Sequence, residues 1–275
     1  GESKSVLLKQ STYWTEIDTI LRSKLGLNLE EIWKNEIDRH RCPHSPLLTV
    51  VSQICLSDIW RQWGYQPDVV IGHSIGELTA AFQAGLYSLE DILLLTYQIG
   101  EVAANLDGVM LHGKLSDQQI DQLSVHLSSL NFVDDTKKHV TLSGYPDEMT
   151  NFMNKNSDFI KMRLPHPWHH PHYSKYIDNI SIIKSNKISD VKFVSGVTTD
   201  FENQLEDAHW RYWLTSTIDF IRSMQTIKEE FNQYQLEIIE IGFHPVLDKC
   251  CQIFDNHTYL SSMFRGEDEI KWILY

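Results

Sequence analysis

Residues 67–77 read Pro67-Asp68-Val69-Val70-Ile71-Gly72-His73-Ser74-Ile75-Gly76-Glu77. A β-branched run enters a Gly-x-Ser-x-Gly turn, and a helical pattern through Gly85 follows at once. A sharp strand-to-helix turn of this kind presents a serine hydroxyl as a nucleophile. Gly72 and Gly76 are expected to avoid a Cβ clash where strand and helix approach. The hydroxyl of Ser74 then stands at a helix N-terminus, where free N–H groups can stabilise an oxyanion. Such a hydroxyl is nearly unreactive at neutral pH without a base in reach, and histidine is the natural base. Residues 165–172 supply His166, His169, His170 and His172 among three prolines. The prolines deny these histidines a regular helix or strand face, so a metal site is not expected and one of the four serves as the base. Spacing alone does not choose which.

The elements that must hold these groups follow from periodicity. Residues 1–40 read as short helices, with Trp14, Ile17, Leu21 and Leu25 at helical spacing. A long apolar helix is expected from Leu47 to Trp63, with Ser45 as cap, Pro46 at its first position and Gly64 ending it. A second runs from Leu89 to about Asn105, opened by Ser88. After Asp107-Gly108 the pattern changes to strand 109–112, helix 116–130, strand 139–144, helix 146–155 and strand 159–164. The chain then returns to α/β order: helices at 173–183 and 213–230, strands at 191–195, 236–241 and 258–261, and a terminal helix. The expected fold is α/β, a large α/β-hydrolase-like domain with a parallel sheet and a nucleophile elbow. Residues 1–107 and 167–275 form it, and residues 108–166 form an inserted small ferredoxin-like α+β lobe, with the active site between them.

Composition sets outer bounds. The chain has 275 residues, 42% of them hydrophobic, which suits an ordinary globular core. A net charge of −13 without a basic stretch argues against nucleic acid as a partner. The cysteines, Cys42, Cys55, Cys250 and Cys251, have no zinc spacing and read as reduced thiols. With no apolar run long enough for a membrane span, a cytoplasmic location is expected.

The chain resembles the malonyl-CoA:acyl carrier protein transacylase family, which includes the acyltransferase domains of polyketide synthases. Residues 67–77 look like the family's serine motif, and Gly85–Asp91 like the segment after it. His166-Pro167-Trp168-His169-His170-Pro171-His172 stands where the family has His-Ala-Phe-His-Ser-Pro-His. Glu240–Leu247 and Leu260–Asp268 resemble two later motifs. The resemblance implies an acyl-enzyme at Ser74, with His169 as base and the Ile75 N–H as one oxyanion donor. The second nitrogen of His169 would rest on a main-chain carbonyl near Trp213. It also implies no bound cofactor: the substrates carry phosphopantetheine as acyl-CoA or acyl carrier protein, and the partner is an acyl carrier protein.

Departures from the family pattern sharpen this. The family opens with a strand ending in Gly-Gln-Gly, which supplies the other oxyanion donor; residues 6–11 here already resemble the helix after it. Missing residues ahead of Gly1 are the expected explanation. Members selective for carboxylated extenders place an arginine where Ile99 stands, and no Lys or Arg occurs between Ile71 and Val109. An alkyl chain cannot replace a bidentate guanidinium–carboxylate pair, so an uncharged acyl group is expected. Ile99, Trp168, His73 and His170 form the expected substrate-contacting set, with no metal. Transfer to a carrier protein is the leading expectation. Hydrolysis of the same acyl-enzyme, as in acyl-carrier-protein hydrolases, is the alternative, and an inactive docking or scaffold domain a second. Both a stand-alone protein and a synthase domain are compatible with the sequence.

Overall fold

The computed structural model describes residues 6–35, 38–186 and 190–263. Helices lead into the elbow. Helix α1 is Tyr13–Leu25, α2 Leu29–Lys34 and α3 His44–Gln62. Asp58 of α3 ties down the start of α1. Its Oδ2 accepts from Ser11 Oγ at 2.8 Å and from the Thr12 N–H at 2.7 Å. Asn28 caps α2 by accepting from the Glu30 and Glu31 N–H groups. Helix α3 begins earlier than Ser45 and has no side-chain cap, so Ser45 is helical rather than capping. Pro46 still sits in the first turn, where its missing N–H is harmless. Gly64 follows the helix at φ 95°, the expected stop.

Strand β1, Val69–Ile71, leads through the elbow to α4, Gly76–Gln83, and then α5, Leu89–Ala103. Ser88 caps α5 by accepting from the Asp91 N–H. Strand β1 pairs in parallel with β6, Lys192–Val194, and β6 pairs antiparallel with β7, Phe201–Glu202. Strands β9, Leu236–Glu240, and β10, His257–Ser261, make a separate parallel pair. The expected parallel sheet therefore appears as two parallel pairs, one of them extended by an antiparallel strand.

The segment after Gly108 folds as β2 (Val109–Leu115), α6 (Asp117–Asp121), β3 (His126–Asp134), β4 (Lys137–Gly144), α7 (Pro146–Lys155) and β5 (Ile160–Lys161). The expected helix over 116–130 is thus corrected: residues 117–121 are helical, 122–125 form a turn and 126–130 are strand. Ile120, Leu123, Leu127 and Leu130 have helical spacing, but the β3–β4 hairpin offers residues 126–134 a ladder of long-range hydrogen bonds instead. The hairpin turns at Asp135-Thr136, with Asp135 at φ 54°. The order of strands is β5-β2-β4-β3-β8, where β8, Ile218–Asp219, comes from the returning chain and adds in parallel to β3. Val109, Leu111, Leu115, Val140, Leu142, Met149 and Phe159 form this lobe's own core.

The returning segment also differs from expectation. In place of a helix at 173–183 there are two 3-10 turns, Pro171–Lys175 and Ile177–Asn179. The helix expected at 213–230 is two helices, α8 (His209–Thr215) and α9 (Phe220–Phe231), separated by β8. Helix α10, Asp248–Cys251, precedes β10. The closing motif beyond Met263 and the terminal helix lie outside the described residues. All four cysteines are free. Among the described residues no helix is long and apolar enough to cross a membrane.

Candidate active site

The elbow is as tight as its glycine implies. A Cβ on Gly72 would meet the Glu77 nitrogen and the Gly76 carbonyl carbon at 2.2 Å. Gly76 is different: a Cβ there would meet only the Gln53 side chain, at 3.6 Å, so the expected clash is absent. Ser74 sits at φ 53°, a left-handed conformation that side-chain-bearing residues rarely hold. The turn closes through His73 O to the Gly76 N–H and Ser74 O to the Glu77 N–H. No acceptor among the described residues takes the Ile75 N–H.

His169 reaches the elbow from the proline-rich loop. Its backbone is also left-handed, at φ 56°. Its Nε2 lies 2.7 Å from Ser74 Oγ, and its Nδ1 lies 3.0 Å from the Trp213 carbonyl oxygen. A carbonyl only accepts, so Nδ1 carries the proton and Nε2 is the acceptor for the serine hydroxyl. His169 is 1% exposed, and its ring lies nearly perpendicular to that of Trp213, with 4.5 Å between centroids. Burial pushes its pKa down to about 3, which the Trp213 bond only partly offsets, so the imidazole is neutral at pH 7.

The other expected residues fall around this pair in different ways. His73 turns its ring onto Phe220 and bonds through Nε2 to Asn131 Oδ1 at 2.8 Å. Trp168 is buried, 6.4 Å from the Trp213 ring, and its carbonyl accepts from Ser128 Oγ at 2.9 Å. His170 Nδ1 accepts the His172 N–H and caps the 171–175 turn, while its own N–H donates to Leu214 O. Ile99 is fully buried on α5, in the apolar cluster that holds Trp168 and Trp213. His166 bonds to Leu106 O and His172 stacks on Tyr145, so the four clustered histidines take separate tasks. Among the described residues, no group of His, Cys, Asp or Glu could hold a metal ion.

Two sets of residues escaped the sequence reading. Glu77, in the first turn of α4, is wholly buried and accepts from Ser195 Oγ, the Gly196 N–H and His209 Nε2. The others are on β3. Its pairing with β4 slips between Leu127 and Ser129 and again between Leu130 and Phe132, leaving Ser128 and Asn131 as the extra residues. Bulges re-aim side chains, and these two reach the loop of His169 and the ring of His73. Bulges leave no local sequence signal, because they depend on the register with another strand.

The family model of the acyl transferase domain matches residues 7–255, about nine-tenths of the chain. The chain belongs to that family. This acyl transferase domain is similar to highly reducing polyketide synthase FUM1 of Gibberella moniliformis, at 27% identity over 300 residues, covering 98% of the chain and 12% of FUM1. It is also similar to reducing polyketide synthase PKS1 of Cochliobolus heterostrophus, at 29% over 259 residues, covering 83% and 10% respectively. The domain therefore spans about a tenth of the length of these curated relatives. Among solved structures, the acyltransferase domain from the second module of the salinomycin polyketide synthase superposes with a TM-score of 0.81 at 18% identity, covering 98% of this chain and 65% of that one. A loading acyltransferase from the avermectin polyketide synthase gives 0.81 at 17%, covering 98% and 90%. The malonyl CoA-acyl carrier protein transacylase of Clostridium perfringens gives 0.76 at 17%, covering 94% and 87%. These likenesses show that the acyl transferase domain has the fold of those structures.

Proposed function

We propose that the domain transfers an uncharged acyl group from a thioester, through an acyl-enzyme at Ser74, to the phosphopantetheine thiol of an acyl carrier protein within a polyketide synthase. The observation that carries this reading is the continuous bond path from Ser74 Oγ through His169 to Trp213 O, at 2.7 and 3.0 Å. Ser74 Oγ attacks the thioester carbonyl carbon while His169 Nε2 takes the hydroxyl proton. The Ile75 N–H, unpaired at the start of α4, supports the oxyanion. Collapse breaks the C–S bond, and the proton on Nε2 passes to the leaving thiolate. The carrier thiol then repeats the sequence in reverse. Base catalysis of this kind contributes roughly 10²–10⁴ in rate. The carbonyl of Trp213 orients the ring as a carboxylate does in a triad, without adding charge.

The uncharged acyl group follows from the absence of Lys and Arg between Ile71 and Val109 and from the complete burial of Ile99 among apolar side chains. A carboxylate entering there would be desolvated without a partner, at a penalty of several kcal/mol.

The test is intact mass after incubation with malonyl, acetyl, butyryl, hexanoyl and benzoyl thioesters, followed by addition of carrier protein. An alkyl or aryl adduct, lost in Ser74→Ala and passed to the carrier, is the expected result. A malonyl adduct overturns the specificity. An adduct that decays to free acid regardless of carrier makes the domain a hydrolase. No adduct overturns the acyl-enzyme reading and leaves a scaffold.

A further inference from the structure

The loop that carries His169 is held at consecutive peptide groups from two sides. Ser128 Oγ donates to the Trp168 carbonyl at 2.9 Å, and His126 Nε2 lies 2.6 Å from the His169 carbonyl oxygen. Both donors are on β3 of the small lobe. From the other side, the Leu214 carbonyl accepts the His170 N–H at 3.0 Å. The peptide between His169 and His170 is therefore fixed at both ends, its C=O by His126 and its N–H by Leu214. The orientation of that peptide sets ψ of His169, and ψ at a left-handed residue sets where the imidazole points. A residue at φ 56° has no intrinsic preference for its place and keeps it only while its surroundings hold it.

We infer that His126 is a positioning residue for the base: its N–H to the His169 carbonyl holds the imidazole in line with Ser74, so that the small lobe contributes to the chemistry itself. This rests on the proposed acyl-enzyme reading. His126 touches neither the dyad side chains nor, in that reading, the reacting carbon. Its ring also packs against that of His170, at 4.9 Å between centroids. Because a carbonyl can only accept, His126 must donate through Nε2, and any replacement that works must keep an N–H at that distance.

The experiment compares His126→Phe, which keeps a ring but no donor, with His126→Gln, which keeps an N–H. Two rates are read at Ser74: acylation by the best thioester of the panel, and labelling by a fluorophosphonate, which needs the same base but no carrier or acyl pocket. The Phe variant is expected to lose about ten- to a hundredfold in both rate constants, the effect of a misplaced catalytic group. Its half-saturation for thioester should stay within about twofold, and the Gln variant should recover most of the rate. A folded Phe variant that labels at the wild-type rate overturns the inference and leaves the transferase reading standing. A wild type that labels with fluorophosphonate but takes no acyl group overturns the transferase reading while His126 is still tested. A wild type inert to both reagents overturns both. If the Phe variant does not fold, a folded Gln variant slowed as strongly as expected for Phe overturns the role of the donor.

Discussion

Removing the Glu77 carboxylate should destabilise the domain more than any ordinary surface charge could. Glu77 has no exposed surface, and its two oxygens serve three donors: Ser195 Oγ at 2.9 Å, the Gly196 N–H at 3.0 Å and His209 Nε2 at 3.2 Å. These donors lie just after β6 and at the start of α8, so the first turn of α4 is bonded to both segments. In Glu77→Ala all three lose their acceptor. The Ser195 hydroxyl can rotate to another partner. The Gly196 N–H and the His209 ring cannot without moving backbone or changing tautomer. With two buried donors stranded at about 1–3 kcal/mol each, the change should cost about 2–6 kcal/mol. Glu77→Gln keeps the shape and one oxygen for Gly196, and its amide can donate to a rotated Ser195 hydroxyl. Only His209 then faces a mismatch, and the cost should be about 1–2 kcal/mol. Urea unfolding followed by tryptophan fluorescence measures both, with the Ala midpoint moving at least twice as far as the Gln midpoint. An Ala variant within about 1 kcal/mol of wild type would mean that the buried carboxylate is no hub, and the reasoning fails. A His209→Phe cycle isolates the third bond and should show coupling of about 1 kcal/mol or more with Glu77→Ala.

The pH dependence follows from buried histidines. His169 is pushed to about 3 and His170 to about 4, each mainly by burial, so between those values and 6.5 the unfolded chain binds protons that the fold does not. Stability should therefore fall as pH drops below 6.5, by about 1.4 kcal/mol per pH unit for each histidine that stays neutral. Acylation of Ser74, read in single turnovers, should stay level down to about pH 5; a rate that halves near pH 6.5 would refute the buried, neutral base. The elbow glycines should separate cleanly. Gly72→Ala forces a Cβ to 2.2 Å from backbone atoms and should abolish acylation and folding, while Gly76→Ala, with 3.6 Å to Gln53, should keep both, as read by intact mass and thermal melting.

Much of the local structure around Ser74 was legible because it is written in short local words. Gly72 through Glu77 specifies the turn: its steric demand acts within five residues, and the left-handed Ser74 follows from it. The apolar period of α1 and the Ser88 start of α5 were equally readable, since caps and periodicity act within a turn or two. The order of helix and strand patterns carried the α/β class and the order of motifs the family resemblance, and the match over residues 7–255 agrees. That His169, and not a neighbour, meets Ser74 came from the register of the resemblance; the residues alone left four candidates.

Tertiary structure decided whatever depends on a partner distant in sequence. Residues 126–130 continue the helical spacing of the segment before them and are strand because β4 stands beside them. Glu77 looks like a helix N-terminal charge, and only the approach of residues 195, 196 and 209 makes it a buried acceptor. Ser128 and Asn131 acquire their reach from bulges, which exist only relative to another strand's register. His169 shows both limits. The sequence determined that an imidazole would be available. Its orientation depends on the His126 side chain of β3 and the Trp213 carbonyl of α8, 43 and 44 residues away in the chain, and nothing near residue 169 in the sequence points to either. Local sterics are encoded residue by residue, whereas hydrogen bonds between groups remote in sequence come into being only once the chain has packed.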